Sequence, residues 1–330
     1  MKKIYYDQDT DLKVLRNKTV AVFGYGSQGS AQAQNMRDSG VSVILGLRRD
    51  GSSWSQAMED GFQVFEFKEA AKRADILHFL LPDERHLEVF EEIKEFITPG
   101  KTIVCSHGFN FHFQVINPPK EVDVIMVAPK APGPTVRREY VNGFGVPALI
   151  AVFKNASGKA KETALALAKA NGHTRVGVFE TTFKFETETD LFGEQTVLCG
   201  GVVELMRMGF DTLTANGYPP EIAYFECVHE MKLIVDLIYQ GGMLGMYKKV
   251  SNTAKFGGLT VGPKVIPAQT KKVMQKALDK IKSGQFKASW IDKEFKKDKL
   301  KNLDKMLDMV SKWQVEKVGK IIRQFAGLSD

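Results

Sequence analysis

From Thr19 onward, short apolar, β-branched runs alternate with helical patterns. The runs are TVAVF (19–23), VSVILGL (41–47), FQVFEF (62–67), ILHFLL (76–81), TIVCSH (102–107), VDVIMVAPK (122–130), VPALIAVF (146–153) and RVGVFETT (175–182). Between them lie AQAQNMRDSG, SQAMEDG, KEAAKRAD and LEVFEEIKEFI, which end near Gly, Asp or a Thr-Pro-Gly stop. Continuously apolar strands separated by helices predict a parallel sheet covered on both faces. The expected fold class is therefore α/β, with a doubly wound, Rossmann-type N-terminal domain over residues 1–182. After residue 182 the strand signals stop, and GEQTVLCGGVVELMRMGFDTLTANG, PEIAYFECVHEMKLIVDLIYQGG, TKKVMQKALDKIKSG and LDKMLDMVSKWQVEKVGKIIRQF predict an all-helical domain over residues 183–330.

Composition narrows the class without changing it. The chain has 330 residues, 43% of them hydrophobic, enough for a large core in about two domains. MKKIYYDQDTDL lacks the apolar core of a signal peptide, and no apolar run approaches the roughly 20 residues of a membrane span, so a cytoplasmic location is expected. The three cysteines, Cys105, Cys199 and Cys227, show no CxxC spacing. A net charge of +7 is spread over lysines interleaved with acids, as in DKEFKKDKLKNLDKMLD, which fits a solvated helical face better than a nucleic-acid surface.

Directly after the first strand and before a helix comes GYGSQG, comprising Gly24, Tyr25, Gly26, Ser27, Gln28 and Gly29. In that context the glycines allow a tight turn and a close approach of a pyrophosphate to the helix N-terminus. Where an NAD site usually places an acid after the second strand, this chain has Arg48 and Arg49 with Ser52 and Ser53 behind them. Such residues suit a 2′-phosphate and hence NADPH, although the neighbouring Asp50 also admits NADH.

Two acidic pairs share one spacing: Asp190 with Glu194, and Glu226 with Glu230. On a helix each pair points from one face. Val197 and Leu198 continue the first face, while Ile222, Leu233 and Leu237 share the second, so the acids are expected inside apolar stripes. Burying an unpaired carboxylate costs several kcal/mol, against ~0.2–0.5 kcal/mol for like charges on an exposed helix. Two Mg²⁺ would neutralise four carboxylates with the oxygen ligands that ion prefers.

Ligands of a doubly wound sheet lie beyond the carboxyl ends of its strands. Pro82 and Asp83, His107 of SHGFNF and Lys130 of APKAPGP fall there. His107 and Lys130 are suited to proton transfer or oxyanion binding. His78, inside a strand, reads as a satisfied core histidine.

With GYGSQG, SHGFNF, APKAPGP, FETETDLFGEQ, AYFECVHEMKLIVDL and SNTA in this order, the chain closely resembles ketol-acid reductoisomerase of the short bacterial class I type, also called acetohydroxy-acid isomeroreductase. The resemblance implies NADPH, two Mg²⁺ and a step of valine, leucine and isoleucine biosynthesis. It also implies a knotted helical C-terminal domain and a homodimer with shared active sites. Asp190 and Glu194 would be metal ligands from one subunit, and Glu226 and Glu230 from its partner, as would the substrate-contacting Ser251. His107 and Lys130 match catalytic positions, Gly133 a cofactor contact, and Asp83 with Glu84 a loop over the cofactor. Arg85, His86, Pro134, Phe185 and Lys255 depart from the family pattern. The implied reaction is isomerisation of 2-acetolactate or 2-aceto-2-hydroxybutyrate, followed by NADPH reduction to a 2,3-dihydroxy-3-methyl acid. The alternatives are a metal-free NADP-dependent β-hydroxyacid dehydrogenase, which would leave the acidic pairs unexplained, and a non-catalytic NADPH sensor.

Overall fold

In the computed structural model, residues 3–327 are described, and they divide into two compact units, Met1–Thr189 and Asp190–Asp330. The first is built on strands β1 (Ile4–Tyr5), β2 (Thr19–Phe23), β3 (Ser42–Gly46), β4 (Gln63–Phe65), β5 (Ile76–Phe79), β6 (Thr102–Cys105), β7 (Asp123–Pro129), β8 (Ala148–Lys154) and β9 (Val178–Glu180). They form one sheet in the order β1-β9-β8-β7-β6-β5-β2-β3-β4. The strands from β2 to β7 are all parallel, and their order places the switch point between β2 and β5.

The helices of this unit are α1 (Ser27–Asp38), α2 (Ser53–Glu59), α3 (Phe67–Arg73), α4 (Asp83–Ile93), α5 (Phe109–His112), α6 (Gly133–Val141), α7 (Ala160–Ala170) and most of α8 (Phe183–Gly193). Alternate residues of each central strand feed opposite faces, as the two-residue period of a strand requires. Val20, Val22, Val104 and Ile125 join one buried apolar cluster, and Ala21, Phe23, Ile103 and Val124 the other. Burial on both faces explains the continuously apolar strands.

One expectation needs correcting: the sheet is not wholly parallel. β8 runs antiparallel to β7, β9 is parallel to β8, and β1 closes the edge antiparallel to β9. Strand direction leaves no mark on composition when both faces are covered, so VPALIAVF resembles its parallel neighbours.

The second unit is helical: α9 (Gly201–Ala215), α10 (Pro220–Tyr224), α11 (Glu230–Lys249), α12 (Asn252–Val265), α13 (Thr270–Lys282), α14 (Gln285–Lys287), α15 (Lys301–Ser311) and α16 (Gln314–Phe325). A small core joins Phe210 of α9, Ala223 and Tyr224 of α10, and Val315 and Ile322 of α16. Several patterns that look continuous in the sequence are interrupted. Glu194–Leu198 and Phe225–His229 are single wide turns of π-helix, closed by Cys199 N–H to Glu194 O at 2.9 Å and by Glu230 N–H to Phe225 O. Gly242 (φ 68°) breaks α11, and the C-terminal pattern divides at Lys312 and Trp313. No helix among the described residues is long and apolar enough to cross a membrane.

Candidate functional site

The glycine loop carries the chain from β2 into α1. Gly24 has φ +97°, a conformation costly for any residue with a side chain, and a Cβ there would meet Leu80 O at 2.7 Å. A Cβ on Gly29 would meet Gly24 O at 2.2 Å, so the turn closes only with glycine at both positions. A cavity of about 240 Å³ opens above this turn, lined by Gly24, Tyr25, Gly26, Arg48, Ser52 and Ser53, together with Leu47, Trp54 and Leu80 to Pro82. Ser27, Gln28 and Gly29 form the first turn of α1, and Gln28 Nε2 donates to Ala131 O at 2.9 Å. Arg48 is exposed at the cavity, whereas the Arg49 guanidinium lies 6.0 Å over the Trp54 ring.

Asp83 and Glu84 make up the first turn of α4, not a loop, because Pro82 sits at the N-cap and starts the helix there. Asn110 of α5 donates to Asp83 O at 2.9 Å. Gly133 begins α6, where a Cβ would meet Ser27 O at 1.9 Å. Packing of α6 on α1 is enough to require glycine there.

His107 and Lys130 converge at the carboxyl ends of β6 and β7, joined by a residue the sequence reading passed over. Glu186 of α8, 1% exposed, accepts from Lys130 Nζ through Oε1 at 3.1 Å. Its Oε2 lies 3.1 Å from His107 Nδ1 and accepts from Gly108 N–H at 3.1 Å. Burial alone would push this carboxyl up, but the bond and charge of His107, the Lys130 ammonium and the Gly108 amide hold it below the ordinary carboxylate range. Glu186 stands four residues before Asp190, as Asp190 does before Glu194. That repeated spacing was the available signal.

Of the four acids assigned to metal, Asp190 lies one turn beyond Glu186 on α8 and is half-buried, while Glu194, Glu226 and Glu230 are exposed. Among the described residues these three belong to no cluster of three ligand-type side chains. Their apolar neighbours are exposed too: Leu198 by 66%, Ile222 and Leu233 by 51%. The stripes expected to bury the acids exist, but within the chain they face outward. Both π-turns fall at the acidic pairs, Glu194 opening one and Glu226 lying inside the other; such turns are rare and recur at functional sites. Ser251 caps α12, accepting from Ala254 N–H at 3.1 Å.

His78 is not the satisfied core histidine expected. It is fully buried in β5, neither ring nitrogen has a hydrogen-bond partner, and burial depresses its pKa to about 3.

A glycine turn after the first parallel strand, with ionisable side chains held at neighbouring strand ends, defines a dinucleotide-dependent oxidoreductase. Residues 14–177 match the family description "Acetohydroxy acid isomeroreductase, NADPH-binding domain", and residues 183–327 match "Ketol-acid reductoisomerase, C-terminal domain". The chain belongs to the ketol-acid reductoisomerase family. A ketol-acid reductoisomerase (NADP(+)) of Pyrococcus abyssi is 54% identical over 327 residues, covering 99% of this chain and 98% of that one. Its counterpart in Akkermansia muciniphila is 56% identical over 321 residues, covering 97% and 98%. A solved NADH-preferring ketol-acid reductoisomerase from an uncultured archaeon superposes with a TM-score of 0.95 at 49% identity, covering 98% of each chain.

Proposed function

We propose that this chain isomerises 2-acetolactate or 2-aceto-2-hydroxybutyrate and reduces the product to a 2,3-dihydroxy-3-methyl acid, with NADPH as hydride donor and two Mg²⁺ as Lewis acids. The carrying observation is the Glu186 carboxylate holding His107 and Lys130 together, one helical turn before Asp190. The residues present fit the implied groups. The glycine turn and the α1 N-terminus suit a pyrophosphate, Arg48 with Ser52 and Ser53 suits a 2′-phosphate, and Asp190, Glu194, Glu226 and Glu230 are the hard oxygen donors Mg²⁺ prefers.

When bound, the metal ions lower the pKa of the substrate hydroxyl and stabilise negative charge on its oxygens, and NADPH supplies the hydride. Lys130, fixed by Glu186, holds a proton at Nζ for delivery to the oxygen that gains charge during reduction. The Glu186 carboxylate beside His107 Nδ1 sets the orientation of the ring at the end of β6. Because Glu186 is ionised and already bonded on both oxygens, it serves to orient these two groups and not as a proton donor.

We read Glu226, Glu230 and Ser251 as contributions from the second subunit of a homodimer. Support comes from the exposure of both glutamates and of the apolar faces around them. NADPH oxidation with 2-acetolactate, run with Mg²⁺ and then with EDTA, tests the whole reading. Turnover that needs Mg²⁺ is expected; full activity in EDTA would favour a metal-free dehydrogenase, and none under either condition a sensor.

A further inference from the structure

Beneath the glycine turn lies a polar network that neither the glycine pattern nor the proposed chemistry uses. Tyr25, 6% exposed, donates its hydroxyl to Asp60 Oδ2 at 2.6 Å. The other carboxylate oxygen, Oδ1, accepts from Gln56 Nε2 on α2 at 3.0 Å. Two residues of α1 complete the network: Gln34 Nε2 donates to the Tyr25 oxygen at 3.2 Å, and Arg37 Nη1 to the Asp60 carbonyl at 2.5 Å. Arg37 also lies 4.5 Å over the Phe62 ring, on whose edge Tyr25 packs with centroids 5.7 Å apart.

The placement matters because Asp60 is the C-terminal cap of α2, whose opposite end presents Ser52, Ser53 and Trp54 to the cavity. A seven-residue helix whose N-cap side chain makes no bond has little stability of its own, so its position depends on tethers. Asp60 supplies one, with one oxygen on the glycine turn and the other on α2. In the sequence, Asp60-Gly61 reads only as a helix stop, a role that requires no carboxylate bonded to a tyrosine.

We propose that Asp60 is a positioning residue for the dinucleotide. It locks the glycine turn, which faces the pyrophosphate, to α2, which faces the adenosine ribose, so that the cavity is preformed. The inference rests on the reading of this cavity as the NADPH site. Ordering these two segments in advance removes an entropy cost from binding, so the effect falls on affinity and not on turnover.

The test is NADPH binding to the full chain without Mg²⁺, followed by nicotinamide fluorescence or calorimetry at a temperature where every variant is folded. Asp60→Ala and Tyr25→Phe are each expected to raise Kd about tenfold, as for loss of one hydrogen bond to a charged group. The double variant should be no weaker than the worse single one, since both remove the same tether. Asp60→Asn, which can still accept from Tyr25, should recover most of the affinity. In the full assay Asp60→Ala should raise KM for NADPH while leaving kcat at saturation unchanged. A merely structural Asp60 would lower the melting temperature but leave Kd and KM for NADPH unchanged at a temperature where the variant is folded. An unchanged Kd in folded Asp60→Ala overturns the proposal. If the unaltered chain fails to bind NADPH, the cofactor reading falls instead, a result separable from loss in the variants alone.

Discussion

In the sheet unit, Val20, Val22, Phe23, Leu77, Ile103 and Val124 are all 2% exposed or less, closed in by helices of the same unit. In the helical unit, Leu198, Tyr239, Met243, Leu244, Phe256 and Leu259 are each exposed by more than half, across α11, α12 and the first π-turn. The contrast is between residues enclosed within their own unit and residues that lie on exposed surface. His107, Lys130 and Glu186 belong to the first kind, being joined by hydrogen bonds within the sheet unit. Glu194, Glu226 and Glu230 belong to the second, as exposed carboxylates beside exposed apolar surface, the arrangement that the proposed homodimer requires.

The comparison breaks most sharply at Glu186. Glu186→Gln keeps the shape but removes the charge that holds Lys130 and His107, and kcat is expected to fall by about a hundredfold or more, with NADPH affinity retained. Steady-state kinetics beside a binding titration would check this. Because its folded-state pKa is depressed, the bonds of Glu186 stabilise the fold above the ordinary carboxylate range and are lost as pH falls through the lowered value. Wild-type activity should accordingly show no acid limb from Glu186 near neutrality.

A smaller effect is expected from charging one exposed apolar residue in each unit. Leu233→Asp on α11 should shift sedimentation from dimer to monomer and reduce activity with it. Phe144→Asp, on a residue 59% exposed in the sheet unit, should leave the assembly unchanged. Equal behaviour of the two variants would erase the contrast between the units.

The smallest effect concerns His78, with a folded pKa of about 3 against an ordinary value of 6.5. As pH falls through that window, the unfolded chain takes up a proton that the folded chain refuses, so stability is lost. Between pH 7 and pH 5 the loss is about 2 kcal/mol. His78→Leu, which removes two buried nitrogens without partners, should reduce the acid-induced fall in melting temperature.

Much of this was legible from residue order. The eight strand segments, the glycine turn and the helical second unit follow from hydrophobic period and punctuation, signals carried by neighbouring residues. What was not legible depends on partners distant in sequence. The antiparallel return of β8 leaves no trace in an apolar run, and the bonds of Glu186 span 56 residues to Lys130 and 79 to His107. The π-turns arise from i+5 bonds that a helical period does not distinguish from α-helix over one turn. The apolar stripes beside the acids were visible, but periodicity says which residues share a face and not what that face meets.

Mixing two inactive variants tests most directly whether the acidic pairs are completed between subunits. Chains carrying Asp190→Asn and chains carrying Glu226→Gln, each inactive alone, are co-refolded in equal amounts and assayed with 2-acetolactate, Mg²⁺ and NADPH. If each site takes its first pair from one subunit and its second from the other, half the dimers are mixed. Each mixed dimer then holds one intact site, and activity returns to about a quarter of wild type. No recovery, with mixed dimers demonstrated by a tag on one chain, would contradict a shared site.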